Sequence, residues 1–109
     1  MREYRFIMIS SNKKLRNRSN RYTLEQAIRK LLDTLVHMRC TDCLKNGEFV
    51  TTKNIWAAEP YDTKKRFVVT SLFPLCIYMI VKETAGDIDQ QKFIATMAKI
   101  KNKYFEGEF

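Results

Sequence analysis

The stretch TLEQAIRKLLDTLVHMR, residues 23–39, carries the clearest helix signal in the chain and decides the fold. Its apolar residues recur every three or four positions, so they fall on one face of a helix. Thr23 is followed three residues later by Gln26, the spacing of a capping box. The sequence therefore predicts a helix that begins after Thr23, ends near Arg39 or Cys40, and packs an apolar face against the rest of the chain.

The segments on either side of this helix favour strands joined by polar loops. Residues 4–9 are rich in β-formers and predict a strand, whereas residues 11–22 (SNKKLRNRSNRY) predict a long basic loop. Beyond the helix, Asn46-Gly47 is a strong turn signal, and residues 49–57 follow it as a second strand. Residues 66–73 predict a third strand, antiparallel to the second.

The last third of the chain predicts one more strand and a closing helix. Residues 75–81 suit a buried strand or a short buried helix, and their Ile, Tyr and Val content favours the strand. Asp87 is expected to cap a helix that ends near Phe105. The order β-α-β-β-(β)-α predicts an α+β fold: an antiparallel three- to four-stranded sheet with two helices packed on one face.

Length and composition predict one globular unit. The chain has 109 residues, 45% hydrophobic and 29% charged, so we expect a single compact domain over residues 1–109. The N-terminal sequence lacks the pattern of a signal peptide, and the most apolar stretch, residues 67–81, is shorter than the about 20 residues of a membrane span. An odd number of cysteines, three, favours a cytoplasmic, intracellular setting. No membrane partner, cofactor or catalytic residue is predicted.

The positive charge is concentrated near the N-terminus. Residues 1–30 hold nine basic and two acidic residues, a net charge of +7, whereas the other 79 residues hold eleven basic and ten acidic residues, a net charge of +1. A charge distributed so unevenly indicates an acidic partner better than the overall charge of +8 does.

Nucleic acid, either DNA or RNA, is the partner that this charge pattern favours. Phosphate contacts need cations and short polar donors, and the basic loop interleaves both. A second basic cluster lies at the turn predicted before residue 66. The candidate phosphate-binding residues are Lys13, Lys14, Arg16, Arg18, Arg21, Lys64, Lys65 and Arg66.

Three cysteines and the only histidine leave several alternatives open. His37, Cys40 and Cys43 form the pattern H-x-x-C-x-x-C, which resembles half of a zinc site, and Cys76 is the only cysteine left to complete it. A disulfide of Cys43 with Cys40 or Cys76 is a second interpretation. Free thiols at the end of a helix are the interpretation we favour, with no bound metal.

The sequence therefore predicts a non-enzymatic nucleic-acid-binding protein with a regulatory or accessory role. One alternative is a protein-interaction module or inhibitor of viral, phage or plasmid type that docks on an acidic host protein. Another is a small RNase or toxin that uses His37 or Tyr22. A homodimer is a further expectation, because residues 4–9 would pair across a two-fold axis if they formed an edge strand.

Overall fold

A five-stranded antiparallel sheet, in the order β2-β1-β5-β4-β3, carries the fold. The computed structural model describes residues 1–10, 14–16, 20–50, 65–72 and 75–106. Its elements are β1 (Tyr4–Ser10), β2 (Lys14–Arg16), α1 (Leu24–His37), a 3₁₀ helix (Thr41–Asn46), β3 (Glu48–Val50), β4 (Arg66–Leu72), β5 (Leu75–Lys82) and α2 (Gln90–Glu106).

Each face of the sheet carries a cluster of buried apolar side chains. Side chains alternate between the two faces of a strand, so Tyr78 and Ile80 of β5 point toward the helices, and Met79 and Val81 point to the opposite face. Residues of both helices join the first of these two clusters. The cluster on the second face consists of side chains that are at most 8% exposed: Ile7, Ile9, Val50, Val68, Ile77, Met79 and Val81.

Helix α1 begins at the predicted capping box. The Thr23 hydroxyl accepts a hydrogen bond from the Gln26 main-chain N–H (3.2 Å), and the Gln26 side-chain oxygen accepts one from the Thr23 N–H (3.0 Å). These bonds satisfy donors that the helix itself leaves without partners. The buried face consists of residues with no exposed surface: Ala27, Ile28, Leu31, Leu32 and Leu35.

Helix α2 is held to the sheet by an aromatic cluster. The Phe93 ring lies 4.8 Å from that of Phe67 and 5.3 Å from that of Phe49, measured between centroids. Gly47 leaves room for this cluster, because a Cβ at that position would lie 2.3 Å from a ring carbon of Phe67. A side chain at residue 47 would therefore force the Phe67 ring to move.

The structure confirms the α+β class and the packing of two helices on one face of an antiparallel sheet. Residues 75–82 form a strand rather than a helix, and β3 pairs antiparallel with β4 as predicted. Of the predicted strand 49–57, residues 49 and 50 lie in β3, and residues 51–57 lie outside the described residues.

The prediction that residues 11–22 form only a loop is wrong. Residues 14–16 form β2, which pairs with β1, and Tyr22 forms a bridge with Tyr4. As a result β1 lies between β2 and β5 and is not an edge strand. The condition for pairing two β1 strands across a two-fold axis, a free edge, is therefore not met, and a homodimer stays a prediction.

The residue that caps α2 is Asp89, not Asp87. The Asp89 carboxylate accepts a hydrogen bond from the Lys92 N–H (3.1 Å), and the Asp89 carbonyl accepts one from the Phe93 N–H (2.9 Å). The Asp87 carbonyl instead accepts a hydrogen bond from the Lys82 ammonium (3.2 Å). Both aspartates suit a cap by residue type, and the position of the buried Phe93 decides between them.

Replacing Thr23 with alanine should lower the free energy of unfolding by about 1 kcal/mol, because the side-chain half of the capping box is lost. Urea denaturation followed by circular dichroism measures the change. Thr34→Ala is the matched control: the Thr34 hydroxyl bonds only to the Lys30 carbonyl within the helix, so its removal should cost less than about 0.5 kcal/mol. Equal losses in the two variants would contradict a stabilising cap.

Candidate nucleic-acid interface

The N-terminal segment is tied to the start of α1 by two main-chain hydrogen bonds. The Tyr4 N–H donates to the Tyr22 carbonyl (3.0 Å), and the Tyr22 N–H donates to the Tyr4 carbonyl (2.7 Å). Because the helix begins two residues after Tyr22, this bridge fixes α1 beside the start of β1. It also brings Arg2 and Arg21, which are far apart in sequence, to the same end of the sheet.

Helix α1 turns a polar stripe toward these residues. Gln26, Arg29, Lys30 and Asp33 follow the spacing i, i+3, i+4 and i+7, which places them on one face of a helix. All four are exposed, and they lie away from the fully buried apolar face. The same periodicity that buries one side of α1 thus gathers cations on another.

A groove of about 450 Å³ lies between the N-terminal segment and α1. We call it the α1 groove. Its lining comes from three parts of the chain: Arg2 before β1, the segment that leads into the helix, and the polar stripe of the helix. The lining residues are Arg2, Asn20, Arg21, Tyr22, Gln26, Arg29, Lys30 and Asp33.

The α1 groove carries four cationic side chains, all exposed, and one carboxylate, that of Asp33. Arg29 also pairs with Glu25 at 3.0 Å, with both side chains about half exposed or more. An exposed pair of this kind contributes at most about 1 kcal/mol, so it does not hold Arg29 against a stronger anion. The groove therefore presents a net positive surface that a phosphate group can approach.

The predicted phosphate-binding residues have different positions relative to the α1 groove. Arg21 lines it. Lys14 and Arg16 are the end residues of β2, and the structure describes their backbone only. Lys13, Arg18 and Lys64 lie outside the described residues.

Lys65 and Arg66 are not part of the groove lining. Both lie at the end of the sheet where β1 starts, but β5 separates β4 from β1, a distance of about 10 Å. The Lys65 ammonium donates a hydrogen bond to the Thr84 carbonyl. Arg66 is only 2% exposed and stands opposite Val81 in the sheet register. This burial argues against a phosphate contact by Arg66, so we leave it out of the proposed interface.

The sequence did not single out three of the groove cations: Arg2, Arg29 and Lys30. Arg2 lies two residues before β1 and reaches the groove only through the Tyr4–Tyr22 bridge, a pairing that local sequence does not reveal. Arg29 and Lys30 could have been found, because they follow the helical stripe that begins at Gln26.

His37 and Tyr22, the two residues suggested for an RNase, lie at opposite ends of α1. A helix of 14 residues is about 21 Å long, so the imidazole and the phenol do not face the same bond. His37 is exposed in the last turn of the helix, whereas Tyr22 is half-buried at the groove. Paired acid–base catalysis by these two side chains is therefore not supported by their placement.

The three cysteines are free thiols, and two of them are buried. Cys40 is 6% exposed and Cys76 is 4% exposed, whereas Cys43 is half-buried. Within the described ranges, no group of three or more His, Cys, Asp or Glu side chains is arranged to hold a metal ion. The residues of the H-x-x-C-x-x-C pattern thus lie in different environments: His37 is exposed on the helix, and Cys40 is buried in the core.

Tyr78 lies between the two buried thiols. Its hydroxyl is 3.6 Å from the Cys40 sulfur and also bonds to the Cys76 thiol. Burial is the main cause that raises the pKa of Cys76 above its ordinary value, and burial likewise raises the pKa of Tyr78. Cys76 and Tyr78 are therefore neutral at physiological pH, as expected for structural groups rather than nucleophiles.

Comparison of the chain with protein-family models, with curated proteins and with solved structures finds no match. Neither described helix is both long enough and apolar enough to cross a membrane. The functional argument therefore rests on the α1 groove and its charges.

Removing the Cys76 thiol should make stability less sensitive to alkaline pH. A group whose folded-state pKa is raised contributes stability that is present below its unfolded pKa, about 8.5 for a thiol, and is lost as pH rises. We expect the free energy of unfolding to fall above about pH 8.5, and to fall less steeply in Cys76→Ala. Urea denaturation under reducing conditions between pH 7 and 10.5 measures this, with Cys43→Ala as the half-buried control. Parallel pH profiles for wild type and Cys76→Ala would refute the assignment.

Proposed function

We propose that this protein binds DNA or RNA through phosphate contacts and serves as a regulatory or accessory factor rather than an enzyme. The observation that carries the proposal is the convergence of cations from three parts of the chain on the α1 groove. Convergence of this kind is unlike a charged face scattered over a helix, since Arg2 and Arg21 join Arg29 and Lys30 only after folding. A concave positive surface suits a polyanion.

The chemistry of the lining residues fits phosphate oxygens. Three of the four cations are arginines, whose planar guanidinium groups can donate two hydrogen bonds to one phosphate. Asn20 and Tyr22 add the short polar groups that supplement such cations at sugar–phosphate backbones. Arginine, asparagine and tyrosine together match the contacts that position proteins on nucleic acids.

The basic loop can extend this interface. Arg16 is four residues from Asn20, so their Cα atoms are at most about 15 Å apart. Arg18 lies between these two residues in sequence, and Lys13 and Lys14 precede Arg16, so we include Lys13, Lys14, Arg16 and Arg18 in the proposed interface on the basis of their sequence positions.

An acidic protein partner is the competing interpretation, because carboxylates also pair with arginine. The two differ in how binding depends on salt. Binding to nucleic acid releases condensed counterions, so the logarithm of the affinity falls linearly with the logarithm of salt concentration, by about 0.7 to 0.9 per phosphate contact. Four groove contacts predict a slope of about −3 to −4, and loop contacts would make it steeper.

The triple variant Arg21→Gln, Arg29→Gln, Lys30→Gln should bind a 20-nucleotide oligomer at least about tenfold more weakly than wild type at 100 mM salt. Its salt slope should also become shallower by about 2 to 3, because three phosphate contacts are lost. Fluorescence anisotropy of a labelled oligomer between 50 and 300 mM salt measures both quantities.

The matched control removes the same charge from an exposed surface outside the groove lining. Lys92→Gln, Lys99→Gln, Lys101→Gln changes three exposed lysines of α2. We expect this control to retain at least half of the wild-type affinity, with little change in salt slope. If both triple variants lose the same affinity, binding follows net charge alone and the groove assignment fails. If wild type does not bind any oligomer, the proposed function fails.

The variant Lys13→Ala, Lys14→Ala, Arg16→Ala, Arg18→Ala tests the basic loop separately. We expect weaker binding and a slope shallower by up to about 3 to 4, since up to four contacts are removed. The same anisotropy titration serves as the measurement. Full binding by this variant would exclude the loop from the interface and leave the α1 groove as the sole candidate.

A further inference from the structure

The α1 groove is a hollow rather than a protruding element. Its volume of about 450 Å³ lies within the range of small-ligand pockets, about 300 to 1,000 Å³. Proteins that read duplex DNA usually insert a helix or a two-stranded ribbon into a major groove about 12 Å wide. Here the cations line a recess between the N-terminal segment and α1, so a strand that contacts all of them must enter the recess.

One wall of this recess is aromatic. Tyr22 is half-buried: part of its side chain packs against the core cluster on the helix side of the sheet, and the residue also lines the groove. Its backbone is held by both hydrogen bonds to Tyr4, so the ring is attached to a fixed point of the sheet. An aromatic ring set among cations is the arrangement by which single-strand binders hold a base beside its phosphate.

The neutral polar groups of the groove fit the same ligand. Asn20 and Gln26 carry amides: the Gln26 oxygen accepts the Thr23 N–H of the capping box, and the Gln26 NH₂ group is a hydrogen-bond donor. Unpaired bases expose the edges that such amides recognise, whereas a duplex hides its pairing edges. The groove therefore combines groups for a phosphate, for the face of a base and for the edge of a base.

On these grounds we propose that the α1 groove takes single-stranded nucleic acid in preference to duplex, with an unpaired base packed against Tyr22 and the flanking phosphates on the groove arginines and Lys30. This inference rests on the proposed function and names its substrate class. It assigns Tyr22 a contact that does not depend on charge, in contrast to the contacts of the four cations.

The first test compares a single strand with the duplex of the same sequence and length, by anisotropy at 150 mM salt. We expect the single strand to bind at least about tenfold more tightly. Equal binding, or preference for the duplex, would overturn the single-strand inference and leave the proposed function standing. Failure to bind either form would overturn the proposed function itself, so the two failures are distinguishable.

The second test uses Tyr22→Leu and an oligomer with abasic sites. A lost base stack should weaken binding of the normal strand by about 5- to 150-fold, with the salt slope unchanged because no phosphate contact is removed. Tyr22→Phe keeps the ring and should stay within about threefold of wild type. Both variants keep the main-chain bonds to Tyr4, and circular dichroism checks that they fold.

The abasic oligomer separates stacking from a structural effect. It keeps the phosphates and lacks the bases, so wild type and Tyr22→Leu should bind it equally. If Tyr22→Leu weakens binding of the abasic and the normal strand by the same factor, the residue acts only through the shape of the protein. That result would overturn the assignment of a stacked base to Tyr22.

Discussion

The main-chain bridge between Tyr4 and Tyr22 is the constraint on which the rest of this structure depends. It joins the first strand to the residue that precedes the helix cap, so the sheet and α1 have a fixed relative position from their first residues. The capping box then starts the helix at Leu24, and the apolar stripe of α1 falls on the sheet. If the bridge were shifted by two residues, the polar stripe would no longer face Arg2.

The sheet to which the bridge ties α1 has a buried apolar cluster on each of its two faces. A sheet with one wet face tolerates charged residues along that face, whereas here the second face carries a cluster of seven buried apolar side chains. At the end of that face where β1 starts, Arg5 pairs with Glu83 at 3.1 Å. Arg5 thus contributes to the N-terminal charge in the sequence but is engaged in an ion pair, away from the α1 groove.

Local sequence signals predicted those parts of the fold that local interactions determine. Helix α1 and its cap follow from periodicity and from the Thr23–Gln26 pair, and β5 follows from its content of β-formers. Pairings between distant residues were not predictable in the same way. β2 and the Tyr4–Tyr22 bridge depend on register across the chain, and basic residues among Ser and Asn favoured a loop instead.

The candidate site shows the same division. Arg21 was found because it belongs to a dense basic run, whereas Arg2 was missed because only a tertiary contact brings it to the groove. Arg66 was selected by its neighbours in sequence, yet it is buried. Strand alternation alone could not predict the burial of Arg66. Alternation puts Phe67 on the face toward the helices and Arg66 on the opposite face, and that opposite face would be exposed to solvent if only one face of the sheet were covered.

The positions of the groove cations explain where part of the N-terminal positive charge is located in the folded chain. A net charge of +7 over residues 1–30 would be a diffuse field if every cation pointed into solvent. Four of the nine basic residues line one groove, so part of this charge is gathered at a single place on the surface. A polyanion drawn to the N-terminal region by long-range attraction would find four cations together at the α1 groove, and the half-buried Tyr22 is the one aromatic residue in that lining.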